Sequence, residues 1–119
     1  MKVAVTALGP GLDDRVDTHF GRAMHFVIAD TETGWFEPID NGVNRNAMQG
    51  AGIASAELVS DAGVQAVITG HLGPKAFSAL GAAGIPGYDG SGMSVREAIA
   101  AFAAGTLRAL DEAGEAHAG

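Results

Sequence analysis

The side chains best suited to chemistry in this sequence are basic residues, histidines and amides that cluster in a few glycine-containing segments. The clearest segment is residues 19–23, with the sequence His-Phe-Gly-Arg-Ala, and two others hold Asn44 with Arg45 and His71 with Lys75. Guanidinium, ammonium and protonated imidazole groups donate charge-assisted hydrogen bonds, which are stronger than neutral ones. The residue types therefore indicate a site for a negatively charged ligand.

The absence of cysteine narrows the chemistry further. It excludes disulfides, thiol nucleophiles and thiolate-held zinc or iron–sulfur centres. We expect no directly bound metal ion, and the candidate ligands, if one were bound, are His19 and His71. The phosphate-binding glycine loops and the His-Glu-x-x-His motif are absent. Asp13, Asp14 and Asp17 leave a metal-dependent phosphohydrolase as an alternative, although no acidic residue on a central strand supports it.

Composition sets the class of protein. The chain has 119 residues, of which 47% are hydrophobic, enough for one domain with a packed core. Fourteen acidic residues against seven Lys and Arg give a formal net charge of −7, which disfavours nucleic acids and anionic membranes as partners. No apolar run approaches the length of a membrane span, and the sequence does not open with a signal-peptide pattern. We therefore expect a cytoplasmic protein, and we expect it to be a monomer.

Hydrophobic periodicity predicts five strands and three helices. The strands are expected at 2–8, 24–30, 35–40, 65–69 and 85–88. The helices are expected at about 47–63, 73–84 and 94–105. Pro74 at a first helical position and a capping box from Ser94 to Glu97 support the later two helices. The order β-β-β-α-β-α-β-α indicates an α/β fold with a mixed five-stranded sheet covered by helices. It forms one domain of residues 1–110, followed by a frayed polar tail at 111–119.

The strand directions place four loops at one edge of this sheet. Hairpin links reverse the second strand and restore the direction of the third, and helical crossovers keep the last two parallel to the first. The loops at this edge are 9–23, 41–47, 70–73 and 89–93. All three predicted helices begin there, so we expect their free N–H groups and positive dipole ends to face one space. Five of the seven basic residues lie in these loops or in a first helical turn: Arg15, Arg22, Arg45, Lys75 and Arg96.

Four segments add a more specific signal when they are taken in order. They are His-Phe-Gly-Arg-Ala at 19–23, Gly-Ala-Gly-Ile at 50–53, Gly-Pro-Lys-Ala-Phe at 73–77 and Ala-Gly-Ile at 83–85. Together they resemble the dinitrogenase iron–molybdenum cofactor biosynthesis family, from Lys2 to about Leu107. The resemblance implies a ribonuclease-H-like fold and the non-catalytic binding and carriage of metal–sulfur cluster precursors.

The ligand expected from this resemblance is a trianionic molybdenum–copper sulfide cluster, held without covalent attachment. Small, cysteine-free members of the family carry such a cluster, and the Gly-Pro-Gly-Leu-Asp segment at 9–13 is similar to theirs. The alternative ligand is an iron–molybdenum cofactor precursor. We expect a non-enzymatic carrier that exchanges its cluster with an unidentified protein donor or acceptor.

The expected cluster-binding residues share a place in the edge loops or at the helix starts. They are His19, Phe20, Gly21, Arg22, Asn44, Arg45, Met48, Gly52, His71, Gly73 and Lys75. The basic residues would supply charge, the histidines hydrogen bonds, and Met48 and Phe20 an apolar lining. The alternative function is a regulatory or adaptor protein of the same family. In that case Trp35 and Phe36, beside the predicted hairpin at the opposite edge, would contact a protein partner.

Overall fold

The computed structural model describes residues 1–114. Within them the chain forms six strands: β1 (Lys2–Ala7), β2 (His25–Asp30), β3 (Phe36–Asp40), β4 (Ala66–Thr69), β5 (Gly87–Asp89) and β6 (Arg108–Ala109). The same residues form four helices: α1 (Gly42–Arg45), α2 (Ala51–Asp61), α3 (Pro74–Ala82) and α4 (Val95–Ala103). The strands make one sheet in the order β3-β2-β1-β4-β5-β6.

The strand directions agree with those predicted from the connections. β1 pairs antiparallel with β2, and β2 with β3, while β1, β4 and β5 run parallel. The prediction of five strands is wrong, because β6 adds a sixth strand antiparallel to β5. Its two residues are both exposed, so no buried alternation marks it in the sequence, and Arg108 Nη2 joins it to Asp89 Oδ2 at 3.2 Å. The ribonuclease-H-like assignment stays a prediction.

The first predicted helix begins later than its hydrophobic pattern suggests. The pattern predicts a start near residue 47, whereas α2 begins at Ala51. Gly50, its N-cap, has a φ of 75°, a left-handed conformation that interrupts a helix and that favours glycine. The separate turn α1 has no buried residue, so no apolar stripe predicts it.

Alternate residues of the strands point to opposite faces of the sheet. Val3 and Val5 of β1 pack in a core cluster with Val95 of α4. Ala4 lies between them in sequence and packs in a second cluster with residues of α2 and α3, among them Leu80. Helices α2 and α3 therefore cover one face and α4 covers the other. Because α2 and α3 lie on the same face of the sheet, their starts can meet, whereas the start of α4 lies apart from them.

The chain that follows β6 returns to the loop between β4 and α3. The Leu110 amide donates to the Gly87 carbonyl, and the Gly114 amide donates to the Leu72 carbonyl, both at 2.8 Å. The predicted polar tail at 111–119 is thus described as far as Gly114, and residues 115–119 lie outside the described residues. The domain boundary at residue 110 stays a prediction.

The predicted capping box at the start of α4 is confirmed. Ser94 Oγ accepts a hydrogen bond from the Glu97 amide at 3.1 Å, and Glu97 Oε1 accepts one from the Ser94 amide at 2.9 Å. The hydrogen bond from the Ser94 backbone is the main cause that lowers the pKa of Glu97 below its ordinary value of 4.5. Folding therefore favours the ionised form of this carboxyl group.

We expect Glu97→Gln to destabilise the protein at neutral pH and to lose this effect in acid. A carboxylate whose pKa is lowered by folding adds stability above its unfolded pKa, and that stability is lost as the pH falls through the folded pKa. Urea unfolding curves of variant and wild type should therefore converge as the pH falls below 4.5. Glu57→Gln, an exposed change within α2, is the control. A difference that stays constant into acid would contradict this role of Glu97.

Candidate functional site

The starts of α2 and α3 lie side by side at the edge of the sheet where β1 and β4 end. A Cβ placed on Gly52 would lie 3.1 Å from Ala76 Cβ and 3.5 Å from Ala76 N, so the first turns of the two helices are in close contact. Their N-caps are Gly50 and Gly73, and neither helix has a side-chain cap or an acidic residue in its first turn. The positive ends of both helices are therefore left without compensation by these side chains.

The start of α4 differs, so the expectation that three helix starts share one space is wrong. Helix α4 packs on the opposite face of the sheet. Its Val95 amide donates to the Asp14 carbonyl at 2.9 Å, and its Arg96 amide donates to the Leu12 carbonyl at 2.8 Å. The capping box closes the rest of this helix start. Free donors at the predicted edge therefore come from α2 and α3.

Gly21 brings the His-Phe-Gly-Arg loop against the start of α2. A Cβ on Gly21 would lie 2.8 Å from Gly52 Cα and 2.9 Å from Gly52 N, so this approach requires glycine. The Gly21 carbonyl accepts a hydrogen bond from the buried Ser55 Oγ at 3.0 Å, and the buried Asn41 Nδ2 donates to the Ala23 carbonyl at 3.0 Å. These bonds fix the loop on α2 and place the arginine of the motif beside the two helix starts.

Two buried polar residues hold this loop, a role that the sequence did not predict for either of them. Ser55 is one, and a polar residue on the apolar stripe of a helix is the signal that marks such a bond. Asp17 is the other: its carboxylate accepts hydrogen bonds from the His19 amide at 3.1 Å and the Met24 amide at 3.3 Å. Both residues therefore position the loop.

Phe20 and Met48, the expected apolar lining, lie in very different surroundings. Phe20 is fully buried, and its ring packs edge-on against Phe26 with the centroids 5.3 Å apart. Met48 is 96% exposed. Asn44 donates from Nδ2 to Asn41 Oδ1 at 3.0 Å. None of the three expected site residues lines the two cavities described next.

A cavity of about 280 Å³ opens between the starts of α2 and α3, and we call it the amide cavity. Its lining residues are Arg22, Gly50, Ala51, Gly52, Ile53, Gly73, Pro74, Lys75 and Ala76. Two of them are cationic and none is acidic. Backbone N–H groups at helix starts and positive side chains together favour an anion.

A second cavity of about 460 Å³, the arginine cavity, meets the first at Arg22. Its lining residues are Leu8, Asp17, His19, Arg22, Met24 and Arg45. Arg22 Nη1 donates to the carbonyls of Arg45 and Ala47 at 2.8 and 2.9 Å. The guanidinium of Arg22 therefore joins the loop to the end of α1, and Arg22 lines both cavities.

The five basic residues expected at this edge fall into two groups. Within the described chain, the side chains of Arg22, Arg45 and Lys75 form no ion pair, and all three line the cavities. Arg96 instead contacts Asp13 Oδ1 at 3.0 Å beside α4. Arg15 also lies there, and its Nη1 donates to the Gly92 carbonyl at 2.9 Å. Three of these five basic side chains thus lie at the cavities without an ion pair to any described residue.

The backbones of the two candidate histidines lie side by side, but the two residues line different cavities. His19 and His71 form a parallel β-bridge. His19 lines the arginine cavity, and its Nδ1 lies 3.6 Å from Asp17 Oδ1. His71 lines a separate cavity with residues 108–114 of the C-terminal segment, and the Gly114 backbone lies against its ring.

The acidic residues considered for a metal-dependent phosphohydrolase are dispersed. Asp13 pairs with Arg96, Asp14 accepts a hydrogen bond from the Gly11 amide at 2.8 Å, and Asp17 closes the loop. Among residues 1–114, no group of three or more His, Asp or Glu side chains is arranged to hold a metal ion. In that same part of the chain, no helix combines the length and apolar character needed to cross a membrane.

Comparison with known proteins decides the family. A family model described as dinitrogenase iron–molybdenum cofactor matches residues 1–105. The chain belongs to this family. The membership predicted from the four sequence segments is confirmed, and the matched residues include every residue that lines the amide and arginine cavities.

Three relatives are similar to this chain over nearly its whole length, and two of them are solved structures. The apo form of the orange protein from Desulfovibrio gigas is 42% identical, with 96% of each chain covered and a TM-score of 0.92. A putative NifB protein from Thermotoga is 33% identical, covering 96% of this chain and 97% of that chain, with a TM-score of 0.83. An uncharacterised protein of Methanocaldococcus jannaschii is 37% identical over 114 residues, 93% of this chain and 92% of the relative.

We expect Gly21→Ala to destabilise this family member by about 1–3 kcal/mol, because the new Cβ would force the loop away from α2. Chemical denaturation would measure the change. Gly81→Ala is the matched control, since a Cβ there meets no described atom within 4 Å. Replacing glycine by alanine inside a helix such as α3 stabilises the helix by about 0.5–1 kcal/mol. Equal effects of the two substitutions would show that the contact between Gly21 and Gly52 is not tight.

Proposed function

We propose that this protein binds an anionic metal–sulfur cluster without covalent attachment, in the amide cavity, and carries it without converting it. The observation that carries the proposal is the convergence of two uncapped helix starts with Arg22 and Lys75 around a space that no carboxylate of residues 1–114 lines. An ordinary metal cation would be repelled there, whereas a polyanion gains from each contact.

The chemistry of a sulfide cluster suits these donors. Its sulfide ligands already complete the coordination of its metals, so the protein needs to provide only hydrogen bonds and charge to the outer sulfurs. The chain has no cysteine to donate a thiolate, and residues 1–114 hold no group of three metal-ligating side chains. The backbone N–H groups of α2 and α3 can supply the hydrogen bonds to the outer sulfurs, and the side chains of Arg22 and Lys75 can supply the positive charge.

For the identity of the cluster we propose the molybdenum–copper sulfide type. The 42% identity with the orange protein over 96% of each chain supports the ligand expected for small, cysteine-free members of the family, which is this cluster. The family description favours the alternative, an iron–molybdenum cofactor precursor. Both are polyanionic clusters, so both fit the charge of the cavity. We also propose that the carrier is a monomer. It would exchange its cluster with a protein donor or acceptor in the cytoplasm.

An adaptor function rests on a different surface. Trp35 and Phe36 are 46% and 40% exposed beside the turn between β2 and β3, at the opposite edge of the sheet from the amide cavity. Lys2 Nζ lies 5.8 Å from the centroid of the Trp35 ring. If this surface is the functional one, a protein complex will form without the cluster and will be lost in Trp35→Ala.

We expect the apo protein, mixed with tetrathiomolybdate and a copper salt, to acquire a visible chromophore that co-elutes with it on gel filtration. Replacing both Arg22 and Lys75 by Ala removes two charge-assisted contacts and should weaken retention by about 100-fold. Lys75→Ala alone is a milder test, since this exposed side chain makes no ion pair with any described residue. Retention by the wild type should fall as ionic strength rises.

The matched control is the double variant Lys2→Ala with Arg96→Ala. It removes the same two residue types and the same charge, but Lys2 Nζ donates to the Ala62 carbonyl and Arg96 pairs with Asp13, both away from the cavity. This variant should keep the chromophore. A colourless wild-type eluate, or equal losses in both double variants, would contradict cluster binding in the amide cavity.

A further inference from the structure

The amide cavity and the arginine cavity share one side chain. Arg22 lines both, and its Nη1 is occupied by the carbonyls of Arg45 and Ala47. A guanidinium carries five N–H donors, so those on Nε and Nη2 remain for a ligand. A ligand that spans both cavities would therefore contact Arg22 at its middle and other donors at its two ends.

The arginine cavity is suited to a second negative end. Arg45 lines it, and its side chain makes no ion pair with any residue in 1–114, while the Arg22 contact holds the Arg45 carbonyl in place. The carboxylate of Asp17 is already engaged by two backbone amides. Leu8 and Met24 on the rim are 50% and 40% exposed, and such apolar neighbours favour large, weakly hydrated atoms such as sulfur over small hydrated anions.

We infer that the two cavities act as one two-part site, which selects an elongated anion with negative charge at both ends. Lys75 and the helix amides hold one end, Arg22 the middle, and Arg45 the far end. This inference rests on the proposed function and adds a preference: Arg45 discriminates between an elongated cluster and a compact thioanion. Residues of the amide cavity contribute to both ligands.

Two probes separate these contributions. Tetrathiomolybdate alone is a compact anion, and tetrathiomolybdate with copper supplies the elongated, copper-bridged one. We expect Arg45→Gln to weaken the affinity for the elongated probe about tenfold, the value of one charge-assisted hydrogen bond, and to leave the affinity for the compact probe within about twofold. Lys75→Ala should weaken both. Arg96→Gln, which removes the same charge beside α4, should weaken neither.

The results that would overturn the inference are distinct from those that would overturn cluster binding. If Arg45→Gln leaves both affinities unchanged, or lowers both equally, the arginine cavity does not hold a second end. The same follows if the wild type retains the compact probe but not the elongated one, although anion binding in the amide cavity then stands. If the wild type retains neither probe, the proposed function fails and the two-part site fails with it.

Discussion

The structure of the site depends on how closely three backbone segments approach one another. Gly21 touches the backbone of Gly52, and Gly52 in turn faces Ala76 at the start of α3. Because neither glycine carries a side chain, the loop and the two helix starts come together as nearly bare backbone. Residues of the loop and of both helix starts therefore line one cavity instead of being separated by packed side chains. A bulkier residue at either glycine would move donors away from the cavity.

The distribution of charge explains how a protein with a net charge of −7 can favour an anion locally. Helix α4 begins at the same edge of the sheet, but its own Glu97 and the loop carbonyls satisfy its first turn, and Arg96 is neutralised by Asp13. Among the described residues, helices α2 and α3 have no such partners in their first turns. Since electrostatic interactions are strongest at short range and are screened by salt beyond about 10 Å, the local arrangement outweighs the total charge.

Buried polar contacts hold the loop around the cavities. Asp17, Asn41 and Ser55 are buried and bond mainly to backbone groups of the segment that carries His19 and Arg22. Satisfied polar groups of this kind specify one arrangement of a loop, because breaking one of them would leave a buried donor or acceptor unpaired. Donors that are placed in advance favour the binding of an anion at such a site, since ordering them at the moment of binding would cost conformational entropy.

From the amino-acid sequence alone one can predict five of the six strands and their directions, the three longer helices, the capping box at Ser94 and the edge where the loops gather. Each of these follows from hydrophobic periodicity, from local hydrogen bonding or from the connection rules, which act over a few residues or one crossover. The three-dimensional contacts were needed to show that α4 lies on the opposite face, that Phe20 belongs to the core and that Arg22 and Lys75 share a cavity. Periodicity reports that a side of an element is buried but does not report against which partner. Contacts between residues distant in the chain, such as Gly21 with Gly52, settle that question.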